Sequence, residues 1–318
     1  MTPRLSILDQ SPVGEGMSAA DALAATVRLA QVADALGVTR FWVAEHHFSP
    51  SFAGSAPEIL VAALLARTRH LRIGSGGVLL PRYESTKVAE SFRVLAGLFP
   101  CRVDLGIGRA GGPADRFPRQ VAELLEGLAP DARDLMPSGT VAPEVWLLGG
   151  GTSSAALAAE LGTEFCFAHF LNPAPGVAAL EAYRRGPHTR LGTIAVRVLV
   201  AEDEATASAL ARGLLLWRSR KDLGDDRPLP SAETVRGHRW TSAEMERAEV
   251  NSRSLIAGTP EQVRSALVRL ADAHGVEELV VNTLTHDPED RVRSYRLLAD
   301  VLGIRPPGSA LAEAGRTV

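Results

Sequence analysis

Short apolar runs alternate with longer helical segments along this chain, and that alternation limits the folds it can adopt. Eight runs rich in Val, Ile, Leu and Phe have the length of buried strands, and they lack the polar alternation of half-exposed ones. The runs are 5–8, 40–44, 71–79, 102–107, 145–148, 164–168, 193–200 and 278–282. Eight buried strands separated by helices predict an α/β protein with a (β/α)₈ TIM barrel.

The segments between the runs carry helix start and stop signals. Ser18 is placed to cap a helix that Gly37 would end. Pro57 suits the first residue of a second helix, and Ser85 or Thr86 can cap a third that covers 87–98. These signals fall in the expected intervals between strands and support the alternation.

An open, Rossmann-like sheet is the alternative fold. It would place a glycine-rich turn after the first strand, whereas this chain has Asp9-Gln10-Ser11-Pro12-Val13-Gly14 there. We therefore expect the barrel, with the whole chain 1–318 as a single domain. The long interval 201–277 predicts an insertion between strands 7 and 8, and its polar part within 218–240 is either a lid or a solvated surface.

Composition excludes several classes of protein. The 318 residues contain 34 Lys and Arg against 37 Asp and Glu, so the net charge of −3 lacks the basic footprint of a nucleic-acid binder. The chain contains no run of about 18 apolar residues, so we expect no membrane span. Its first residues also lack the apolar core of a signal peptide. Two cysteines cannot form a disulfide framework, so we expect a cytoplasmic protein.

Polar and glycine residues gather where the predicted strands end, which is where TIM-barrel enzymes place their active sites. They are Asp9, Gln10, Glu45, His46, His47, Gly74-Ser75-Gly76-Gly77, Arg109, Gly149-Gly150-Gly151-Thr152-Ser153-Ser154 and His169. Any one of them could be structural, but their common location predicts an active site at this end of the barrel.

The two adjacent histidines, His46 and His47, make a poor pair of metal ligands, because neighbouring strand residues point to opposite faces. A metal-dependent barrel hydrolase using Asp9, Glu45, His47 and His169 is one alternative function. The first strand lacks the alternate histidines of such an enzyme, so no metal site is predicted. A single histidine beside a buried glutamate suits a base or a hydrogen-bond donor.

The Gly149–Ser154 segment joins a strand to a helix. Its glycines allow close backbone approach, and the N–H groups at the helix start attract an anion. Alone, such a segment is more often an ordinary turn. Arg109 ends the neighbouring strand and can bind the same anion, so the two together predict a phosphate-bearing ligand.

In order and spacing, these motifs resemble those of the bacterial-luciferase-like flavin monooxygenases. The resemblance rests on Leu8-Asp9-Gln10-Ser11-Pro12, Trp42-Val43-Ala44-Glu45-His46-His47, Ser55-Ala56-Pro57-Glu58, Gly74-Ser75-Gly76-Gly77-Val78, Lys87-Val88-Ala89-Glu90 and Asp104-Leu105-Gly106-Ile107-Gly108-Arg109-Ala110. It is dense over residues 5–112 and weaker over 145–200 and 256–303. The chain looks most like the small single-chain branch that includes polyketide-tailoring oxygenases.

The resemblance implies specific site residues. His46 matches the family's active-site histidine, and Ser75-Gly76 matches a non-prolyl cis peptide beneath the flavin ring. The phosphate site would comprise Arg109, Gly150, Gly151 and Ser154, with His169 near the edge of the flavin. Asp9, Gln10 and Glu45 would line the substrate pocket.

The resemblance also implies the reaction. Reduced FMN from a separate flavin reductase would react with O₂ to give a C4a-peroxyflavin, which epoxidises or hydroxylates a small organic substrate in secondary metabolism, such as antibiotic biosynthesis. Relatives pair through the helices near 18–36, 57–69 and 85–98, so a homodimer is expected. A deazaflavin-dependent oxidoreductase of the same family is an alternative, and a barrel that serves only as an interaction subunit is a weaker one.

Overall fold

In the described part of the chain, nine parallel strands form one sheet, and eight of them close into a ring. The computed structural model describes residues 2–110, 112–113 and 115–306. The strands are β1 (Arg4–Asp9), β2 (Arg40–Val43), β3 (Arg72–Leu79), β4 (Val103–Gly108), β5 (Glu144–Gly149), β6 (Glu164–Phe167), β7 (Thr193–Val200), β8 (Leu255–Gly258) and β9 (Glu278–Asn282). β1 to β7 pair in sequence order, β7 also pairs with β9, and β9 pairs back with β1. This closed ring confirms the predicted (β/α)₈ barrel.

Helices cover the outside of the ring. They are α1 (Ala19–Leu36), α2 (Pro57–Leu65), α3 (Ser85–Leu98), α4 (Phe117–Leu128), α5 (Thr152–Leu161), α6 (Gly176–Arg184), α7 (Glu204–Asp222), α8 (Ala232–Gly237), α9 (Ser242–Ser252), α10 (Pro260–His274) and α11 (Pro288–Val301). An apolar core of mainly Val, Leu, Ile, Phe and Ala side chains fills the space between strands and helices. Two smaller apolar clusters lie inside the barrel and beneath the insertion. In the described part of the chain, none of these helices is both long and apolar enough to cross a membrane.

The predicted cap of α1 is confirmed, whereas the predicted cap of α3 is not. The Ser18 side chain accepts a hydrogen bond from the Asp21 backbone N–H, and Gly37 ends α1 at φ 86°. The predicted cap by Ser85 or Thr86 is wrong, because α3 already begins at Ser85 and no side chain caps it. The Ser85 hydroxyl instead donates to the carbonyl oxygen of Gln120, which ties α3 to α4.

The amino-terminal end of the barrel is closed by buried ion pairs rather than by apolar side chains. The Arg40 guanidinium lies 3.0 Å from Asp104 and 2.8 Å from Glu278, and Arg72 also binds Asp104. Trp42 donates its indole N–H to Asp104 from the layer above. The carboxyl-terminal end is therefore the open one.

The predicted insertion between strands 7 and 8 contains α7 to α10 and one strand that the sequence does not reveal, β8. Strand β7 pairs with β9 through its residues Ile194–Arg197 and with β8 through its residues Arg197–Val200. The last barrel strand, counted as strand 8 in the sequence, is therefore β9. Asp226, in the loop after α7, accepts hydrogen bonds from Ser49 and Ser51. The insertion thus leans over the β2 side of the barrel mouth.

Candidate functional site

A cavity of about 400 Å³ opens at the carboxyl ends of the strands. Its floor is apolar and comes from inward-facing residues of six strands, β1, β2, β5, β6, β7 and β9. The residues that line its floor and walls are Leu8, Trp42, Gly76, Gly77, Leu79, Gly108, Arg109, Ala110, Leu148, Gly149, Gly150, Ser154, Cys166, Ala168, Phe170, Leu171, Ala195 and Val280. Burial raises the pKa of the Cys166 thiol, so this cysteine is an inert part of the floor.

The glycines of β3 form one wall of the cavity, and the cis peptide lies one residue later than expected. It joins Gly76 to Gly77 rather than Ser75 to Gly76. Ser75 still pairs with Leu105 of β4 and donates its hydroxyl to Gly106, whereas the register with β4 shifts between Ser75 and Val78. Gly76 and Gly77 occupy that irregularity, so they line the cavity and Ser75 does not.

No side chain fits at these two glycines without displacing a neighbour. A Cβ on Gly77 would lie 2.7 Å from the carbonyl oxygen of Gly106 and 2.8 Å from a Leu148 methyl group. A Cβ on Gly76 would lie 2.6 Å from a Leu8 methyl group. The bare backbone therefore gives the cavity a flat wall.

An anion cradle lies at the β4 and β5 edge of the cavity. Arg109 is exposed, and within the described residues no carboxylate or other side chain pairs with it. Helix α5 begins at Thr152, its N-cap Gly151 supplies no capping side chain, and Ser154 lies in its first turn. A Cβ on Gly150 or Gly151 would meet nothing within 4 Å. Free N–H groups, a hydroxyl and a guanidinium are thus available to one anion.

His46 lies beyond the end of β2, four residues after the floor residue Trp42. Its Nε2 is 3.1 Å from the Gln10 amide nitrogen, and its ring stacks on Phe52 with centroids 4.2 Å apart. Its Nδ1 is buried and has no partner among residues 2–110, 112–113 and 115–306. Burial, with the charge of Lys221, lowers the pKa of His46 to about 4, so the imidazole is neutral near pH 7. His46 is not itself one of the cavity walls.

Glu45 and His47 point away from the cavity. The Glu45 carboxylate accepts hydrogen bonds from the Tyr83 hydroxyl and the Leu79 backbone N–H, and it lies 2.6 Å from His47 Nε2. This carboxylate thus holds the end of β3 against β2. The expectation that Glu45 lines the pocket is not met by the geometry.

Asp9 also serves the scaffold. Its carboxylate accepts hydrogen bonds from the Ser11 backbone N–H and the Thr26 hydroxyl, and it lies 3.1 Å from the Arg291 guanidinium. Because both oxygens are engaged and buried, Asp9 does not line the cavity. Gln10 follows it and turns toward His46, so only Gln10 of this pair faces the barrel mouth.

His169 is turned outward, against the ring of His274 at 5.7 Å. Burial lowers the pKa of His169 to about 4. Its neighbours Ala168 and Phe170 line the cavity in its place. The sequence missed these apolar wall residues because they have the same pattern as core residues.

Arg197 is a further inward-facing residue, and sequence reasoning did not select it. It lies within the wholly buried β7, its Nε donates to Asn282 at 3.2 Å, and its guanidinium lies 5.1 Å from the centroid of the Phe170 ring. The only sequence signal is an arginine inside an apolar run.

The cavity fits a flat ligand that carries a phosphate. A ring system can lie against the Gly76–Gly77 backbone over the apolar floor, and the phosphate can reach Arg109 and the start of α5. FMN has this shape and charge, and the residues present fit it. The four proposed metal ligands do not converge, since Asp9, Glu45 and His169 each point to a different scaffold partner.

Known proteins share both the sequence pattern and the fold. The model of the luciferase-like monooxygenase family matches residues 4–133 and 126–277. Bacillus subtilis YwcH, an uncharacterized protein, is 44% identical over 93% of this chain and 98% of its own. The B. subtilis N-acetyl-S-alkylcysteine monooxygenase is 38% identical over 94% of this chain and 98% of its own.

Solved structures agree with these matches. The crystal structure of apo-MsnO8 superposes with a TM-score of 0.88 at 38% identity and covers 96% of this chain and 99% of that one. At 18% and 14% identity, a diketocamphane monooxygenase in complex with FMN and an alcohol dehydrogenase with an F420–acetone adduct share the fold. The predicted family and enzyme class are confirmed: this chain belongs to the luciferase-like monooxygenase family.

Proposed function

We propose that this protein is an FMN-dependent monooxygenase that uses reduced FMN and O₂ to oxygenate a small organic substrate. The observation that carries the proposal is the pairing of a flat, apolar cavity with an anion cradle at its edge. Reduced FMN, when bound, supplies the electrons that activate O₂. One oxygen atom enters the substrate as a hydroxyl or epoxide oxygen, and the other leaves as water.

The residues of the chain bind and shield the cofactor. Arg109 and Ser154, with the N–H groups of Gly150 and Gly151, hold the phosphate. The Gly76–Gly77 backbone supports the ring, and the apolar floor excludes water from it. His46, as a neutral imidazole oriented by Gln10, accepts or donates a proton at the rim of the cavity.

The partners of the reaction follow from the same proposal. A separate flavin reductase supplies the reduced FMN. A homodimer is supported by exposed apolar side chains on α2 and α3, where Ile59 is 68% exposed, Val94 47% and Leu98 68%. Large exposed apolar side chains on two helices that contact each other favour a surface that another chain covers.

A deazaflavin-dependent oxidoreductase is the second candidate, because one solved relative of this fold binds an F420 adduct. Such an enzyme would transfer a hydride without O₂. Cofactor identity separates the two functions.

The test combines binding with product analysis. The purified protein is titrated with reduced and oxidised FMN and with F420, and is then supplied with a flavin reductase, NADH and ¹⁸O₂. A panel of small thioethers, ketones and aromatic compounds, including N-acetyl-S-alkylcysteines, serves as substrate. We expect FMN binding and one ¹⁸O atom in the product. Binding of F420 with no FMN binding, or product without ¹⁸O, would reject the proposal.

A further inference from the structure

Arg197 lies in the layer directly above the cavity floor. Alternate residues of a strand face the same side, so Arg197 faces inward as Ala195 does, one step nearer the barrel mouth. The same relation holds on β9, where Val280 is a floor residue and Asn282 follows it. Arg197 and Asn282 are therefore adjacent inside the barrel, over the floor of the proposed flavin site.

Among the residues placed by the structure, none is a counter-ion for the buried Arg197 guanidinium. Its residue is only 5% exposed, and Nε is its one hydrogen-bond donor with a partner, Asn282, within the part of the chain that the structure describes. By contrast, the buried Arg40 and Arg291 each lie within 3.1 Å of a carboxylate. A buried charge is stable only when it is paired or hydrogen-bonded, so Arg197 lacks a partner that its environment calls for.

The nearest charged side chains do not supply that partner. Asp222 of α7 is held by Arg218 at 2.8 Å and by Arg247 at 3.1 Å. Burial, together with the charge of Arg218, lowers the pKa of Arg197 to about 9, which still leaves it positively charged near pH 7. A positive charge therefore remains in the barrel mouth, and none of the described residues accepts a hydrogen bond from its terminal N–H groups.

We propose that Arg197 binds a carboxylate of the substrate, and that the substrates are small organic acids with an apolar remainder. The guanidinium lies over Phe170, a wall of the cavity, so a carboxylate bound there would place the apolar remainder along that wall. Asn282 fixes the orientation of the guanidinium and leaves its outer N–H pair for a bidentate contact. The inference deepens the proposed function and depends on its cavity.

The experiment measures charge discrimination without turnover. The full-length protein, with and without saturating FMN, is titrated calorimetrically with 4-phenylbutanoate and with its uncharged analogue 4-phenylbutanamide. We expect the carboxylate to bind about tenfold or more tightly than the amide, as a charge-assisted bidentate contact allows. Arg197→Gln should reduce that ratio to about one, and Arg197→Lys should retain part of it.

Matched controls separate the contact from general charge and folding effects. Arg212→Gln removes the same charge from an exposed residue that stacks on Trp240, and it should leave the ratio unchanged. Arg197→Met tests the same loss with an apolar side chain of similar length. FMN affinity and the thermal midpoint of each variant report whether the cavity is intact.

The inference would be overturned if the wild type bound 4-phenylbutanoate and 4-phenylbutanamide with equal affinity, or bound neither. It would also be overturned if Arg197→Gln left the ratio of the two affinities unchanged. Failure of the proposed function has a different signature, namely no FMN binding and no ¹⁸O in any product. Because the ratio is also measured without FMN, the two failures are distinguishable.

Discussion

Among single residues, Arg109 carries the charge that the phosphate of the cofactor would meet. It is exposed and has no described ion-pair partner, so its removal should not disturb the fold. We expect Arg109→Ala to weaken FMN binding about 10- to 100-fold, the value of one or two charge-assisted hydrogen bonds. Quenching of flavin fluorescence on titration measures this.

Riboflavin provides the matched ligand control, because it has the same ring and no phosphate. Its affinity should be equal in Arg109→Ala and the wild type. Arg119→Ala, which removes a surface ion pair with Glu123, should change neither affinity. An equal loss of riboflavin and FMN binding in Arg109→Ala would contradict the phosphate role.

His46 links the site to the pH dependence of stability. Its pKa in the folded protein is about 4, below the ordinary value of 6.5, so the unfolded chain takes up a proton first as pH falls. The free energy of unfolding therefore decreases between about pH 6.5 and 4. The free energy of unfolding should fall between pH 7.5 and pH 5 in both proteins. The fall should be smaller in His46→Gln than in the wild type, by about 1–2 kcal/mol.

Urea unfolding at the two pH values measures this difference. His169→Gln provides a second test, since burial also lowers the pKa of His169 to about 4. Parallel pH dependence in the wild type and both variants would show that neither histidine is neutral and buried in the folded protein.

Which site residues the sequence could reveal depends on what surrounds them. Arg109 directly follows the carboxyl end of a strand that contains glycine. Its place in the chain therefore predicts that it is exposed at the mouth of the barrel. Arg197 sits in an apolar run whose eight residues are all buried, and nothing in the run distinguishes an inward from an outward position. Asp9 and Glu45 have the right location, but their partners Arg291 and Tyr83 are distant in sequence.

Among the elements, β3 tests how closely the backbone must approach its neighbours. Gly77→Ala places a methyl group 2.7 Å from the Gly106 backbone, so we expect a loss of about 1–3 kcal/mol in stability and weaker FMN binding. Gly237→Ala, where a Cβ meets nothing within 4 Å, should stay within about 0.5 kcal/mol of the wild type. Chemical denaturation and FMN titration measure both, and equal behaviour of the two variants would contradict the close approach.

Strands and helices differ in how far the sequence determines them. The predicted ends of the eight barrel strands lie within one residue of the observed ends, because each strand is a mainly apolar run between turn residues. β8 escapes prediction because Leu255–Gly258 has only two large apolar residues, Leu255 and Ile256, and follows a polar helix. The position of the cis bond also escapes prediction, since it depends on where the β3–β4 register shifts.

In the whole molecule, the ion pair between Asp9 and Arg291 joins the first strand to the last helix. Both side chains are about 1% exposed. Arg291→Met should lower the free energy of unfolding by about 3–5 kcal/mol, because it leaves the Asp9 carboxylate buried without its counter-ion. The double variant Asp9→Asn/Arg291→Met should recover much of that loss, since Asn can still accept from Ser11 and Thr26.

Equilibrium urea unfolding of the wild type, both single variants and the double variant measures the coupling of this pair. Additive losses in the double variant would show that the two charges do not stabilise each other. The sequence predicts closure of the barrel from the number of strands, but it does not predict this pair, whose members are separated by most of the chain.

The attachment of the insertion sets a rule for exchanging parts between relatives. Beyond its pairing with β7, the segment after α7 is bound to the β2 loop through Asp226 and to the β1 loop through a backbone bridge between Leu229 and Gly14. A chimera that receives residues 201–259 from a homologue would therefore keep the host's phosphate cradle but would need the donor's loops at 11–15 and 49–52 as well. Grafted together, the three segments should preserve these contacts, whereas flavin affinity and the proposed carboxylate contact of Arg197, which lies on β7, should stay with the host.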